Sequence, residues 1–279
     1  MKAQRAHAPK GKKGVQYHIG LGPKDVAPRI LLVGDPARAA LIAERFDSVR
    51  PGFPKAHREY VTYTGVWKGL DVTVMATGMG PDNTEIALVE LHQCVKAPVI
   101  IRVGTCGALR KGIRPGDLVV TTGAVRLENT TSAFVEAGYP AVAHHEVVLA
   151  LASAAAHAGH AHHVGLTATA PGFYGWQGRR HEVLKSRFES LPADLGRQGV
   201  LNLEMEASAL LVIGHLLGSR VGAVCVAFAN RVDDTFLAPE RRKDAEARAI
   251  DVGLGALALI DRMDHERGRA PHWIISPST

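Results

Sequence analysis

The feature that most constrains this chain is an alternation running most of its length: short apolar runs, each closed by glycine or a polar turn, separated by helical patterns. Ile30 to Val33 ends at Gly34-Asp35-Pro36, and residues 37 to 46 follow with helical character. Val72 to Ala76 ends at Thr77-Gly78-Met79-Gly80. Beyond it Asp82 or Asn83 can cap a helix reaching about Lys96, with Glu85 placed for a capping box. Pro98 to Val103 ends at Gly104-Thr105-Cys106-Gly107. Leu118 to Thr122, Val164 to Thr169 and Val221 to Ala229 complete the strand-like runs. Residues 145 to 158, Leu203 to Leu217 and 239 to 263 complete the helical ones.

Runs this continuous in apolar character suit strands covered on both faces, so the pattern predicts an α/β sheet flanked by helices. No internal repeat or long linker interrupts residues 18 to 263. That points to a single domain over residues 15–279, preceded by a basic tail over residues 1–14. In such sheets ligands sit beyond the carboxyl ends of strands. Gly34-Asp35, Thr77-Gly78, Gly104-Thr105 and Asn230-Arg231 each follow a strand and mark where a site would lie.

A net charge of +6 raises the question of a nucleic-acid partner. Lys2, Arg5, Lys10, Lys12 and Lys13 all fall in the tail with no acid among them, and without them the body is close to neutral. Such a tail is ordinarily solvated and disordered, and an aromatic share of 5% offers no stacking surface for single strands. No nucleic-acid partner is expected. No run of about eighteen apolar residues suggests a membrane span, and no apolar stretch follows the tail as in a secretory signal. Cys94, Cys106 and Cys225 are odd in number and lack metal-ligand spacing, as in reduced thiols of a cytoplasmic protein. Histidines are dense at 144–145 and 157–163, but the second group lies at a helix end and turn with no cysteine or carboxylate joining it, so no catalytic metal is expected.

Several segments suit a phosphate dianion. Gly34-Asp35-Pro36-Ala37-Arg38 sets backbone N–H groups and an arginine at a helix start, Arg102 and Thr105 flank a strand end, and Arg58 lies in His57-Arg58-Glu59-Tyr60. Lone arginines are mostly surface ion pairs. Arg102 stands apart because it interrupts an apolar strand, where an uncompensated charge is costly.

Five segments in order resemble the nucleoside phosphorylase family that includes uridine phosphorylases and hexameric purine nucleoside phosphorylases. They are Tyr17-His18-Ile19-Gly20-Leu21, Gly34-Asp35-Pro36-Ala37-Arg38, His57-Arg58-Glu59, Ile101-Arg102-Val103-Gly104-Thr105 and Asn202-Leu203-Glu204-Met205-Glu206. The resemblance runs colinearly from about His18 to about Ala258. It implies a single α/β domain with a central mixed, twisted sheet, and a reversible phosphorolysis of a nucleoside to free base and ribose 1-phosphate. It further implies phosphate binding by Gly34, Arg38, Arg102 and Thr105, with Arg58 reaching in from a neighbouring subunit. His18, also across the boundary, would meet the sugar 5′-hydroxyl. Thr105 and Met205 would border the ribose, and Glu206 would accept hydrogen bonds from its 2′- and 3′-hydroxyls. Such shared sites imply a homo-oligomer, and the resemblance implies a hexamer built as a trimer of dimers.

Phe173-Tyr174-Gly175-Trp176-Gln177-Gly178-Arg179 looks like the uracil-recognition stretch of uridine phosphorylases. A Gln amide both donates and accepts, matching the O2/N3 edge of uracil, and Arg179 can donate to O4. Phe173 would stack on the ring, and the resemblance adds Gly107, Glu204 and Arg231 to the base side. Related purine enzymes place an aspartate where Asn230 falls, and an amide cannot serve as that general acid. The reading is therefore phosphorolysis of uridine, with deoxyuridine or thymidine as further candidates and phosphate as a substrate. No organic cofactor is implied. The rivals are a purine nucleoside phosphorylase, a nucleosidase of the same superfamily, and a non-catalytic nucleoside-binding protein. Arginines at 38, 58 and 102 weigh against a water-using nucleosidase.

Glu204 and Glu206 diverge if they sit on a helix and share a face if they sit on a strand. The family also implies a structural potassium ion between subunits, here at Glu59 with Met79 and Asn83, in a loop whose Pro81-Asp82-Asn83 wording departs from bacterial uridine phosphorylases. Cys106 stands where relatives commonly have a small hydroxyl residue and reads as a buried, inert thiol. Residues 178 to 200 read as a flap over the site.

Overall fold

Alternation of burial along the strands sets the architecture. In the computed structural model, which describes residues 9–11 and 14–274, strand β1 (Arg29–Val33) sends Leu31 and Val33 to one face and Ile30 and Leu32 to the other. The first face packs on helices α1 (Pro36–Ala43), α3 (His145–His157) and α6 (Pro239–Arg267). The second packs on α2 (Pro81–His92) and α5 (Ala207–Leu216). Each fully buried Leu, Ile or Val in these layers contributes about 1.5–3 kcal/mol.

The strands between are β2 (Ser48–Val49), β3 (Lys55–His57), β4 (Tyr60–Trp67), β5 (Leu70–Ala76), β6 (Val99–Ala108) and β7 (Leu118–Arg126). They continue with β8 (Ala141–Val142), β9 (His162–Thr169), β10 (Asn202–Glu204), β11 (Arg220–Asn230) and β12 (Thr235–Phe236). All join one mixed sheet, in the order β12-β11-β7-β9-β10-β6-β1-β5-β4-β2, with β3 on β4 and β8 on β7. Because β11 also pairs with β6, the strands β6, β11, β7, β9 and β10 close on themselves, while β1, β5 and β4 extend outward from β6. The sheet is a single α/β domain, with α4 (Leu191–Arg197) added on its rim.

Three local expectations are corrected. The helix expected from Leu203 begins at Ala207, because Asn202 and Leu203 pair with β6 and β9 and tertiary pairing outweighs their helical spacing. The cap of α2 is neither Asp82 nor Asn83. Gly80 takes it at φ +103°, a conformation that suits glycine, followed by Pro81 in the first turn. The last helix runs past residue 263 to Arg267, and the hairpin strands β3 and β4 carry no clear apolar run in the sequence. The expected tail at 1–14 lies mostly outside the described residues, including Lys2, Arg5, Lys12 and Lys13. Lys10 bridges to Gln16. Among the described residues no helix is long and apolar enough to cross a membrane.

Candidate active site

One edge of β6 changes partner part-way along. Its first half pairs with β1 as far as Arg102, opposite Leu32, and pairing with β10 starts at Gly107, opposite Leu203. Residues 103 to 106 have no strand on that edge, while the other edge stays paired with β11 throughout. A cavity of about 550 Å³ opens at this gap. Its lining takes Gly34 and Arg38 from the end of β1 and start of α1, and Thr105 and Gly107 from β6. Phe173, Gln177 and Arg179 come from the loop after β9, and Glu204, Met205 and Glu206 from the β10–α5 junction.

Arg102 is the electrostatic centre. Its Nη2 donates to Glu206 Oε2 and its Nε to Glu204 Oε2 at 3.2 Å. Burial opposes its charge, but Glu206 and then Glu204 outweigh that and raise its pKa. Burial pushes the Glu206 carboxyl above the ordinary carboxylate range, against the pull of Arg102. Glu206 Oε1 accepts from the backbone of Gly80 at 2.6 Å. The short β10 explains this placement: Glu204 ends the strand, and Glu206 is the N-cap of α5 with its C=O accepting from Leu210 N.

Glu204 was expected on the base side, but its carboxylate is committed to the protein. It accepts from Thr169 Oγ1 at 2.6 Å, from Ala207 N, from Glu206 N at 2.9 Å and from Arg102, and its side chain is wholly buried. A carboxylate with four donors to satisfy orients its neighbours instead of reading a base.

Arg38 Nη2 donates to Glu246 Oε1 of α6 at 2.7 Å, which fixes the guanidinium at the cavity wall. On the opposite side the Arg179 guanidinium lies 3.8 Å from the centre of the Phe173 ring. Burial and the neighbouring Arg231 lower its pKa to about 10, and its Nε is buried with no partner among the described residues. Arg231 Nη1 donates to the Gln177 carbonyl at 3.0 Å, so Arg231 supports the loop from behind. Gln177 is buried beside the cavity. Asn230 is fully spent: Nδ2 donates to the carbonyls of Arg110 and Ile113, and Oδ1 accepts from Val232 N and Asp233 N.

His18 and Arg58 do not line this cavity. They share another site on the chain, where the Arg58 guanidinium stands 5.2 Å over the Tyr17 ring and His57 Nδ1 donates to His18 O at 2.6 Å. Glu59 and Asn83 both lie close to the position a Cβ on Gly78 would take. One carboxylate and an amide are oxygen donors of the kind a hard cation takes, but they form only part of a coordination shell. Among the described residues no cluster of three or more histidine, cysteine or acidic side chains is arranged to hold a metal. A hydrogen bond with Cys225, together with burial, raises the Cys106 thiol pKa, so it is protonated beside Thr105. Within the expected flap, residues 191–197 form α4, and Trp176 stacks on Phe188 with ring centres 4.4 Å apart.

The pattern defining the Phosphorylase superfamily matches residues 28–261. The chain belongs to that superfamily. A uridine phosphorylase of Thermococcus kodakarensis is 41% identical over 267 residues, covering 95% of this chain and 94% of that one. A guanosine phosphorylase of Halorubrum lacusprofundi is 30% identical over 252 residues, covering 88% and 99%. A Trypanosoma brucei nucleoside phosphorylase that shows uridine phosphorylase activity superposes with a TM-score of 0.82 at 30% identity, covering 90% of this chain and 99% of that one. This phosphorylase is accordingly a nucleoside phosphorylase, an enzyme that transfers a pentosyl group.

Sequence reasoning missed four contributors to the phosphorylase site. The Gly80 amide positions Glu206, Glu246 tethers Arg38, and Phe228 and Phe236 add apolar wall. The Thr77-Gly78-Met79-Gly80 run carried a signal for the first. A carboxylate on an ordinary helix gave none for the second.

Proposed function

We propose that this nucleoside phosphorylase acts on uridine, giving uracil and ribose 1-phosphate. The observation that carries the reading is that Gln177 and Arg179 open into the same cavity as Arg38, Arg102 and Glu206. A uracil edge needs a group that donates and accepts plus a second donor. The Gln177 amide and the Arg179 guanidinium, both at the cavity, would supply these groups. Phe173 and Gly107 would border the ring.

Phosphate would be held by the backbone at Gly34, by Arg38, Arg102 and Thr105, and by Arg58 of a second copy. Met205 would pack beneath the ribose. Glu206 would accept from the 2′- and 3′-hydroxyls, and a second copy's His18 would meet the 5′-hydroxyl. As the C1′–N1 bond breaks, its electron pair moves into the uracil ring. Arg179 and Gln177 stabilise the resulting anion by donation. Positive charge develops on the sugar between the Glu206 carboxylate and phosphate, whose oxygen then bonds to C1′.

Shared sites require an oligomer, read here as a hexamer. A potassium ion at Glu59, Met79 and Asn83 would be completed by oxygen donors of a second copy. A purine reading draws support from the guanosine phosphorylase relative. Against it, the Asn230 amide has no acidic proton to transfer and its hydrogen bonds are already spent within the protein.

The test is base release followed by absorbance, with uridine, guanosine and inosine, each with and without phosphate. Phosphate-dependent uracil release with the purines inert supports the reading. Phosphate-dependent guanine or hypoxanthine release with uridine inert replaces it, and release without phosphate removes the roles given to Arg38 and Arg102.

A further inference from the structure

Glu90, near the end of α2, is a buried carboxylate that the reaction scheme does not use. It faces the segment bearing His18. Its oxygens accept from His18 N at 3.1 and 2.9 Å and from Ile19 N at 2.8 Å, and Oε1 lies 2.8 Å from His18 Nδ1. One carboxylate therefore grips both the backbone and the ring of a single histidine. His57 holds the same residue from its carbonyl side, and the His18 side chain remains 30% exposed.

An ionised carboxylate only accepts, so the ring nitrogen facing it must carry the proton. In the neutral imidazole the other nitrogen then bears the lone pair. We propose that Glu90 is a positioning residue that fixes His18 as an Nδ1–H donor, so that Nε2 recognises the nucleoside 5′-hydroxyl as a hydrogen-bond donor. The proposal rests on the reading above that His18 serves the sugar of a second copy. It adds a rule of specificity: a sugar whose 5′ substituent cannot donate loses this contact. It also explains why a charged side chain is buried on α2 beside Ala87, Leu88 and Leu91. Two backbone amides and the ring together supply the donors that a buried carboxylate requires.

In Glu90→Gln the amide oxygen can keep the backbone N–H groups, but its NH₂ then faces Nδ1 and favours the opposite tautomer. The experiment compares kcat/KM for uridine and 5′-deoxyuridine in the full-length wild type, E90Q, H18A and the double variant. The wild type is expected to prefer uridine by about tenfold, the worth of one hydrogen bond. E90Q and H18A should each bring that ratio to within about twofold of unity through loss on uridine alone, and E90Q should not change the ratio further on H18A. Equal losses on both substrates in E90Q, with the ratio intact, would mean a merely structural carboxylate and overturn the proposal. A wild-type ratio near one would overturn it together with the role of His18. If guanosine proves to be the substrate, the same ratio is taken with guanosine and 5′-deoxyguanosine, which separates an error about the base from an error about Glu90. Nitrogen NMR of the wild-type protein, with the His18 ring assigned by its loss in H18A, reads the tautomer without altering Glu90. An Nδ1–H ring supports the proposal, and an Nε2–H ring overturns it.

Discussion

Arg102 and Glu206, 104 positions apart in sequence, are hydrogen-bonded to one another in the cavity, and both are buried. The cation assigned to phosphate and the anion assigned to ribose thus neutralise each other before either ligand arrives. Removing one partner strands the other as a buried charge. R102A and E206A should each cost about 3–5 kcal/mol of stability, read by chemical denaturation. The paired neutral variant R102Q/E206Q should recover a large part of that loss while remaining inactive. Unchanged stability in both single variants would mean the pair is not formed in solution.

In the proposed reading ionised Glu206 is the form that accepts from sugar hydroxyls, and burial raises its pKa. The acid limb of kcat/KM should therefore fall at a higher pH than for an ordinary carboxylate, about 4.3. E206Q should abolish the limb along with most of the activity. A pH–rate profile that stays flat on its acid side through the ordinary carboxylate range would contradict this.

Glu246 touches Arg38 and does not line the cavity. Its loss should act on phosphate alone. E246A is expected to raise KM for phosphate by about tenfold, for one charge-assisted bond of about 1.5–3 kcal/mol partly replaced by water, with KM for the nucleoside within about twofold. Equal changes in both KM values would point to a general loss of structure.

Gly80 and Gly159 both have positive φ (103° and 67°) and open space where a Cβ would sit. An alanine should cost about 1 kcal/mol of strain at Gly159 and up to about 3 kcal/mol at Gly80, whose ψ of 163° lies in a region essentially confined to glycine. Only Gly80 donates to Glu206, so G80A should lower kcat/KM well beyond G159A at matched stability.

At the far end of β11, buried Glu146 accepts from Arg220 Nη1 at 2.8 Å and from Trp273 N at 2.8 Å. These bonds hold its pKa down at about 2 despite burial. The folded value lies below the unfolded one, so the stabilisation is complete above the unfolded pKa and is lost as pH falls from about 5 toward the folded value. Wild-type stability should decline over that window by an amount absent in E146Q, measured by denaturation at pH 7, 4 and 3.

Much of the scaffold was legible because its signals are local. The apolar runs at 30–33, 72–76 and 99–103 became β1, β5 and β6, and Arg102 betrayed itself by interrupting one of them. The Glu204–Glu206 pair was harder. Its spacing continues smoothly into α5, and only pairing of Asn202 and Leu203 with strands distant in sequence makes the start extended. Glu90 and Glu246 were illegible for the same reason: each is one carboxylate on a helix, and its meaning lies in a partner 72 or 208 residues away. The turn of Gly80 could be seen, but not that its amide would face Glu206.

The paired edge of β6 has a dynamic consequence. Amides along the β6–β11 pairing are locked inside a closed ring of strands, so they should exchange with solvent only in the largest openings of the molecule, while the loop at 173–190 exchanges through smaller, separate ones. The ground assigned to sugar and phosphate in the proposed reading is then decoupled from the segment assigned to the base. A family built this way can trade one nucleobase for another by rewriting a loop, leaving the slowest-opening part of its fold unchanged.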